Sequence, residues 1–185
     1  QAFENDLDLH QITADASQVS RKIGKMANFL TVYGGGPKTL AEQAGIDMPT
    51  AKRVLDGFAK TYPGVAAYSK RLAAEASKRG YIITPSGRRL PVDSSRAYSA
   101  LNYMVQSTSR EVTCRALIRL HEAGFTPYLR LPIHDEIVAS LPAEKAEWGA
   151  SRIASLMAEQ MGPVMIGTDA EVGKRSWGSL YGNDY

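Results

Sequence analysis

The sequence holds a single cysteine, Cys114, which excludes an intramolecular disulfide and a cysteine-rich zinc site. That usage fits a reducing cytoplasm, and Cys114 itself reads as a buried helix residue. No apolar run approaches the roughly 18 residues that a membrane span needs, and no basic region followed by an apolar block opens the chain. Neither membrane insertion nor export is expected. A strong charge of one sign is missing too: 22 Lys and Arg face 19 Asp and Glu, a net +3, which permits a polyanionic partner without demanding one. The chain also starts without methionine, at Gln1 within a polar stretch, so a fragment or a processed product is expected. What remains is ordinary for a globular protein. The 185 residues, 44% hydrophobic and 22% charged, suffice for one sizeable core or two small lobes.

Against that background one stretch stands out. Arg21, Lys25, Phe29 and Tyr33 recur every four residues, and at 3.6 residues per turn they form one stripe about 18 Å long. Two cations lead and two aromatics follow, ahead of Gly34, Gly35 and Gly36, which end the helix and offer a pivot. A triphosphate could lie along the cationic half while sugar and base meet the rings. Either half alone is common, R-x3-K on solvated faces and F-x3-Y on core faces. Their union on one stripe is not.

The rest of the chain reads as α+β. Residues 1 to 15 are polar, with Asp6, Asp8 and Asp15 around His10, and Thr13 to Ser17 offer N-cap chemistry for a following helix. Short helices start at Pro37 and Pro49, and another runs over 65–79. Residues 81–92 form a hairpin through Pro85-Ser86-Gly87, with Arg88 and Arg89 behind the turn. The longest helical pattern covers 94–122, with Tyr98, Leu101, Val105, Val112, Leu117 and Leu120 as its buried side. On it Asn102 and Gln106 stand one turn apart, an amide pair able both to donate and to accept. Strands over 128–133 and 137–141 flank His134-Asp135-Glu136 at a turn, placing two hard oxygen ligands on a rigid hairpin. A helix over 143–161 and a strand over 164–166 close the chain. The organisation expected is 1–92, mainly helical, and 93–185, carrying the long helix, the acidic hairpin and the last helix and strand.

R-x3-K-x3-F-x3-Y-G over Arg21–Gly34 resembles the fingers helix of family A DNA polymerases, the bacterial DNA polymerase I group and its phage relatives. Asp8-x-His10-x-x-Thr13-Ala14 is similar to the segment before that helix, Thr84-x-x-Gly87-Arg88-Arg89 to a hairpin near it, Asn102-x3-Gln106-x-Thr108 to a minor-groove-probing helix, and His134-Asp135-Glu136 to the palm turn. The resemblance spans roughly His10 to Trp177. It implies an incomplete right-hand polymerase fold: a helical fingers subdomain plus part of an antiparallel-sheet palm.

Function is implied in the same way: DNA-directed transfer of nucleotides from dNTPs to a primer 3′-hydroxyl with two Mg2+ ions, in replication or repair within a bacterial or phage-infected cell. Arg21, Lys25 and His10 would hold the triphosphate, Lys25 also serving as general acid toward pyrophosphate. Phe29 would pack on the sugar, where Phe rather than Tyr disfavours dideoxynucleotides, and Tyr33 would guard the insertion site. Asn102, Gln106, His134 and Arg115 would meet primer–template DNA. Asp135 would bind catalytic metal, with Glu136 assisting or shaping the site.

Two departures matter. Tyr98 stands where many members have arginine. No D-Y-S-x-x-E-x-R-like stretch supplies the other catalytic aspartate, so the chain is expected to be a C-terminal polymerase portion whose upstream palm and thumb lie in cis or in a split partner, and to be inactive alone. A single-subunit RNA polymerase fits less well, since those enzymes show Met-Thr at Phe29-Leu30 and H-D-S at the acidic turn. A non-catalytic nucleic-acid-binding module derived from a polymerase is the other alternative.

Overall fold

The computed structural model describes residue 5, residues 7–174 and residues 176–182; Asp6 lies outside them. The chain divides into two compact units, Gln1–Thr108 and Ser109–Tyr185. The first unit holds helices α1 (Leu9–Ser17), α2 (Arg21–Val32), α3 (Pro37–Ala44), α4 (Met48–Thr61) and α5 (Pro63–Arg79), the hairpin β1 (Tyr81–Ile83) with β2 (Arg89–Pro91), and the start of α6 (Ala100–Glu122). The second holds the rest of α6, the hairpin β3 (Leu129–Ile133) with β4 (Glu136–Ala139), helix α7 (Ala146–Met157), and the hairpin β5 (Glu159–Met161) with β6 (Val164–Ile166). Among the described residues the three sheets are two-stranded and antiparallel. The α+β class expected from the sequence is what the chain adopts.

Local chemistry sets the element boundaries. Pro37 and Pro63 occupy first-turn positions, where a missing N–H costs nothing, and Asp47 caps α4 by accepting from Thr50 N at 2.6 Å. Gly45 and Gly80 end α3 and α5 in the left-handed conformation. Packing then divides by unit. Leu30, Leu40, Ala51 and Val54 join α2, α3 and α4, while Leu72, Ile82, Val92, Leu101 and Met104 join α5, the first hairpin and α6. In the second unit Leu120, Phe125 and Ile153 form a smaller core that α7 and the β3–β4 hairpin share with Leu129, Ile137 and Leu141.

Several boundaries differ from expectation. The Thr13–Ser17 stretch lies inside α1, whose cap is Asp8, accepting from His10 N at 2.9 Å and Gln11 N at 3.1 Å. Residues 94–99 form a 3-10 turn because Asp93 accepts from Ser95 N at 2.8 Å and Arg96 leaves helical geometry. Cys114 is exposed, not buried: Thr113, Ala116 and Leu120 face the core, and the neighbouring position is turned away by a quarter of a helical turn. For the same reason Ala97, Leu101 and Met104 are buried in the first unit while Tyr98 (60% exposed) and Val105 (43%) are not. The last helix stops at Met157. Ala158 turns to ψ 140° and leaves helical geometry, and Glu159–Met161 then pairs with Val164–Ile166 across a turn with Gly162 at φ +57°. Among the described residues no helix is long and apolar enough to cross a membrane.

Candidate active site

In the first unit the site is built on α2. Gly24, Ala27 and Leu30 are its buried face, and the opposite face leaves Arg21, Lys25, Phe29 and the C-capping Tyr33 exposed. Gly24 lets α1 approach closely: a Cβ there would lie 2.5 Å from His10 O and 3.0 Å from Ala14 N. His10 is thereby placed beside Phe29, ring centroids 5.7 Å apart, and Lys25 Nζ lies 5.9 Å from the centroid of the same ring. The cap residue Asp8 reaches Arg21 Nε at 2.5 Å. Arg21's hydrogen bond, with those from the α1 backbone, holds the Asp8 carboxyl below its ordinary value of 3.8. Arg21 Nη1 and Nη2 have no partner among the described residues.

The helix ends as the three glycines suggested. Gly35 N donates to Leu30 O at 2.9 Å and Gly34 N to Thr31 O at 3.2 Å, with Gly34 at φ +75°. Tyr98 packs there, 3.0 Å from where a Gly34 Cβ would lie. A cavity of about 480 Å³ is lined by Lys22, Lys25, Met26, Phe29, Tyr33 and Gln43. Gln106 Nε2 donates to Tyr33 Oη at 3.3 Å, which brings the exposed member of the amide pair to the end of the stripe. Asn102 differs: half-buried, with its Nδ2 buried and unpartnered.

In the second unit His134, Asp135 and Glu136 stand on the β3–β4 hairpin. Ile133 pairs with Glu136, so the loop is His134-Asp135 alone and Glu136 opens the strand, a loop one residue shorter than expected. His134 takes φ +53°, a conformation L residues adopt at a cost of about 1 kcal/mol or more, and its carbonyl accepts from the buried Thr113 hydroxyl at 3.3 Å. Asp135 is exposed and makes no hydrogen bond or ion pair among the described residues. Glu136 Oε1 accepts from Trp177 Nε1 at 3.1 Å. Exposed carboxylate oxygens suit a hard divalent cation, which is bound through one or two carboxylates with water and substrate phosphate completing its shell. No cluster of three or more His, Cys, Asp or Glu capable of holding a metal occurs among the described residues.

Arg115 is engaged otherwise. Its Nε donates to Glu159 Oε1 at 2.8 Å and its Nη2 to the same oxygen, while Arg119 Nη1 meets Glu159 Oε2 at 3.1 Å. Arg119 also donates to the carbonyls of Leu156 and Met157, closing the end of α7. The Arg115 hydrogen bond, then that of Arg119, keeps the Glu159 carboxyl below its ordinary value of 4.5. Two residues that shape these sites, Gly24 and Asn28, were not singled out from sequence, and Asp8 was read only as part of the pattern around His10, not as a cap and arginine partner. Gly24 gave a signal, since glycine inside a helix costs stability unless something approaches it, and so did Asp8, since aspartate is a preferred residue just ahead of a helix.

A sequence model described as DNA polymerase family A matches residues 1–179, and the chain belongs to that family. Among curated relatives, it is 72% identical over 185 residues to the DNA polymerase of Mycobacterium phage L5, covering 100% of this chain and 31% of the relative. It is 32% identical to DNA polymerase I of Bacillus caldotenax over 87% of this chain and 20% of that one. The chain thus spans about a third or less of the relatives it matches. Its fold is similar to the POL domain of Pol1 from M. smegmatis, solved with DNA primer-template and dNTP, at a TM-score of 0.73 and 23% identity, covering 84% of this chain and 32% of that one.

Proposed function

We propose that this chain is the nucleotide-binding part, and a portion of the metal-binding part, of a DNA-directed DNA polymerase acting in the cytoplasm of a bacterial or phage-infected cell. The observation that carries the reading is the exposed Arg21, Lys25, Phe29 and Tyr33 stripe on α2 with His10 held beside Phe29. Residues 1–92 correspond to the fingers and 93–185 to part of the palm. Arg21, with Nε on Asp8, offers its two terminal nitrogens to phosphate oxygens. Lys25 lies one turn on, where it neutralises the triphosphate and gives a proton to the departing pyrophosphate. Phe29 supports the sugar, and Tyr33, tied to Gln106, borders the insertion position.

The reaction is attack of the primer 3′-hydroxyl oxygen on the α-phosphorus of the dNTP, with cleavage of the bond to pyrophosphate. Asp135, and Glu136 beside it, would hold Mg2+, which when bound lowers the hydroxyl pKa and neutralises charge on the phosphates. Two ions need a further carboxylate, brought by the upstream palm from outside these 185 residues in cis or from a split partner. Asn102, Gln106, His134 and Arg115 face primer–template DNA in this reading, Arg115 only where its bond to Glu159 gives way.

Primer extension with dNTPs and with rNTPs, by the intact polypeptide and by the 185-residue chain, tests the proposal. Extension by the intact polypeptide with dNTPs alone is expected. Equal use of rNTPs would point to an RNA polymerase, and sustained extension by the 185-residue chain would remove the need for an outside carboxylate.

A further inference from the structure

Asn28 lies on α2 between Lys25 and Phe29, and its amide is unusually constrained. Nδ2 donates to Leu9 O at 3.2 Å and stands 3.0 Å from His10 Nδ1, while Oδ1 is buried with no partner. The carbonyl of Leu9 can only accept, so the atom facing it must be the amide nitrogen; the flipped amide would set two acceptors against each other. Facing an N–H donor, His10 Nδ1 must in turn accept, which puts the ring proton on Nε2. Nε2 has no partner among the described residues. Leaving a buried amide oxygen unpaired costs stability, on the order of 1 kcal/mol or more, so Asn28 is a poor choice for packing alone.

We propose that Asn28 is a positioning residue that fixes His10 as its Nε2–H tautomer, making that N–H the donor presented to a phosphate of the incoming nucleotide. The proposal rests on the phosphate-binding reading of His10. Leu9 O also accepts from Thr13 Oγ1 at 3.0 Å and Tyr62 Oη at 3.2 Å, so α1 stays anchored by groups that do not touch the ring.

The test measures dNTP KM and kcat for primer extension by the intact polypeptide. His10→Ala and Asn28→Ala should each raise KM about tenfold, the worth of one hydrogen bond to a charged group, with kcat moving by less than about twofold. The double variant should be no worse than His10→Ala, because Asn28 acts through the ring. Tyr62→Phe, which removes a bond to the same carbonyl, should leave KM unchanged. Ring 15N spectra of the unaltered polypeptide, assigned by comparison with His10→Ala, should show the proton on Nε2. A proton on Nδ1 overturns the proposal even if Asn28→Ala does not fold, and so do additive losses in the double variant or an equal loss in Tyr62→Phe. A KM unmoved by His10→Ala would instead overturn the phosphate-binding reading beneath it.

Discussion

In the first unit the candidate side chains follow one helix, a turn apart, with their charged ends exposed and lightly held; among the described residues Arg21 has a single partner, and its side chain is 54% exposed. In the second unit two arginines are committed. Arg115 and Arg119 converge on Glu159, which is 12% exposed, and Arg119 also closes the end of α7. The same residue type is therefore held in two ways. An arginine anchored through one nitrogen keeps a fork free for a ligand, whereas one bonded through several holds two elements together. The carboxylates show the converse: Asp135 is exposed and unpaired among the described residues, which leaves its oxygens open to the proposed metal, while both oxygens of Glu159 are taken by arginines.

That contrast can be broken most forcefully at Asp135. Asp135→Asn should lower kcat of the intact polypeptide on the order of 10³-fold, about 4 kcal/mol, with no change in thermal stability, since it removes the proposed metal ligand and no bond to any described residue. A loss of stability in thermal denaturation would assign Asp135 to structure instead. Gly24→Ala is next. Its methyl would meet the α1 backbone, so destabilisation by about 2 kcal/mol is expected in chemical denaturation, together with a raised dNTP KM as His10 is displaced.

Glu159→Gln should cost about 1.5 kcal/mol or more and leave dNTP KM unchanged, because it loosens only charge-assisted bonds within the second unit. The pH dependence has a definite sign. The folded carboxyl titrates below its ordinary value of 4.5, so its contribution is complete above that pH and is lost as pH falls through the lower folded value. Denaturation midpoints between neutral pH and pH 3 should fall more steeply for the unaltered protein than for Glu159→Gln. The smallest effect is expected at His134. Replacing it with glycine removes the positive-φ penalty and should leave stability unchanged or raise it by up to about 1 kcal/mol, while primer extension weakens. A drop in stability would mean the side chain supports the hairpin.

How legible each unit was follows the same division. The α2 stripe could be read from sequence because helical period alone places Arg21, Lys25, Phe29 and Tyr33 together, and the glycines after it announce their own turn. The acidic hairpin was visible because apolar runs bracket it. What depended on contacts distant in sequence was not visible. Asp8 meets Arg21 13 positions away and Asn28 meets His10 18 away, and no local pattern encodes either. Cys114 and Val105 were misplaced because α6 carries apolar residues on more than one face, so periodicity alone did not choose the buried one. Arg115 matched a motif, but its partner lies 44 positions on in a strand that the sequence suggested was helix.

In the function proposed, the α2 stripe works on the nucleotide. Rapid-quench, single-turnover incorporation by the intact polypeptide carrying Lys25→Ala, alongside equilibrium binding of primer–template duplex, tests it most directly. The chemical step is expected to slow by about 10²-fold or more while duplex affinity changes by less than about twofold. Equal losses in both would contradict it and make Lys25 a duplex-binding cation.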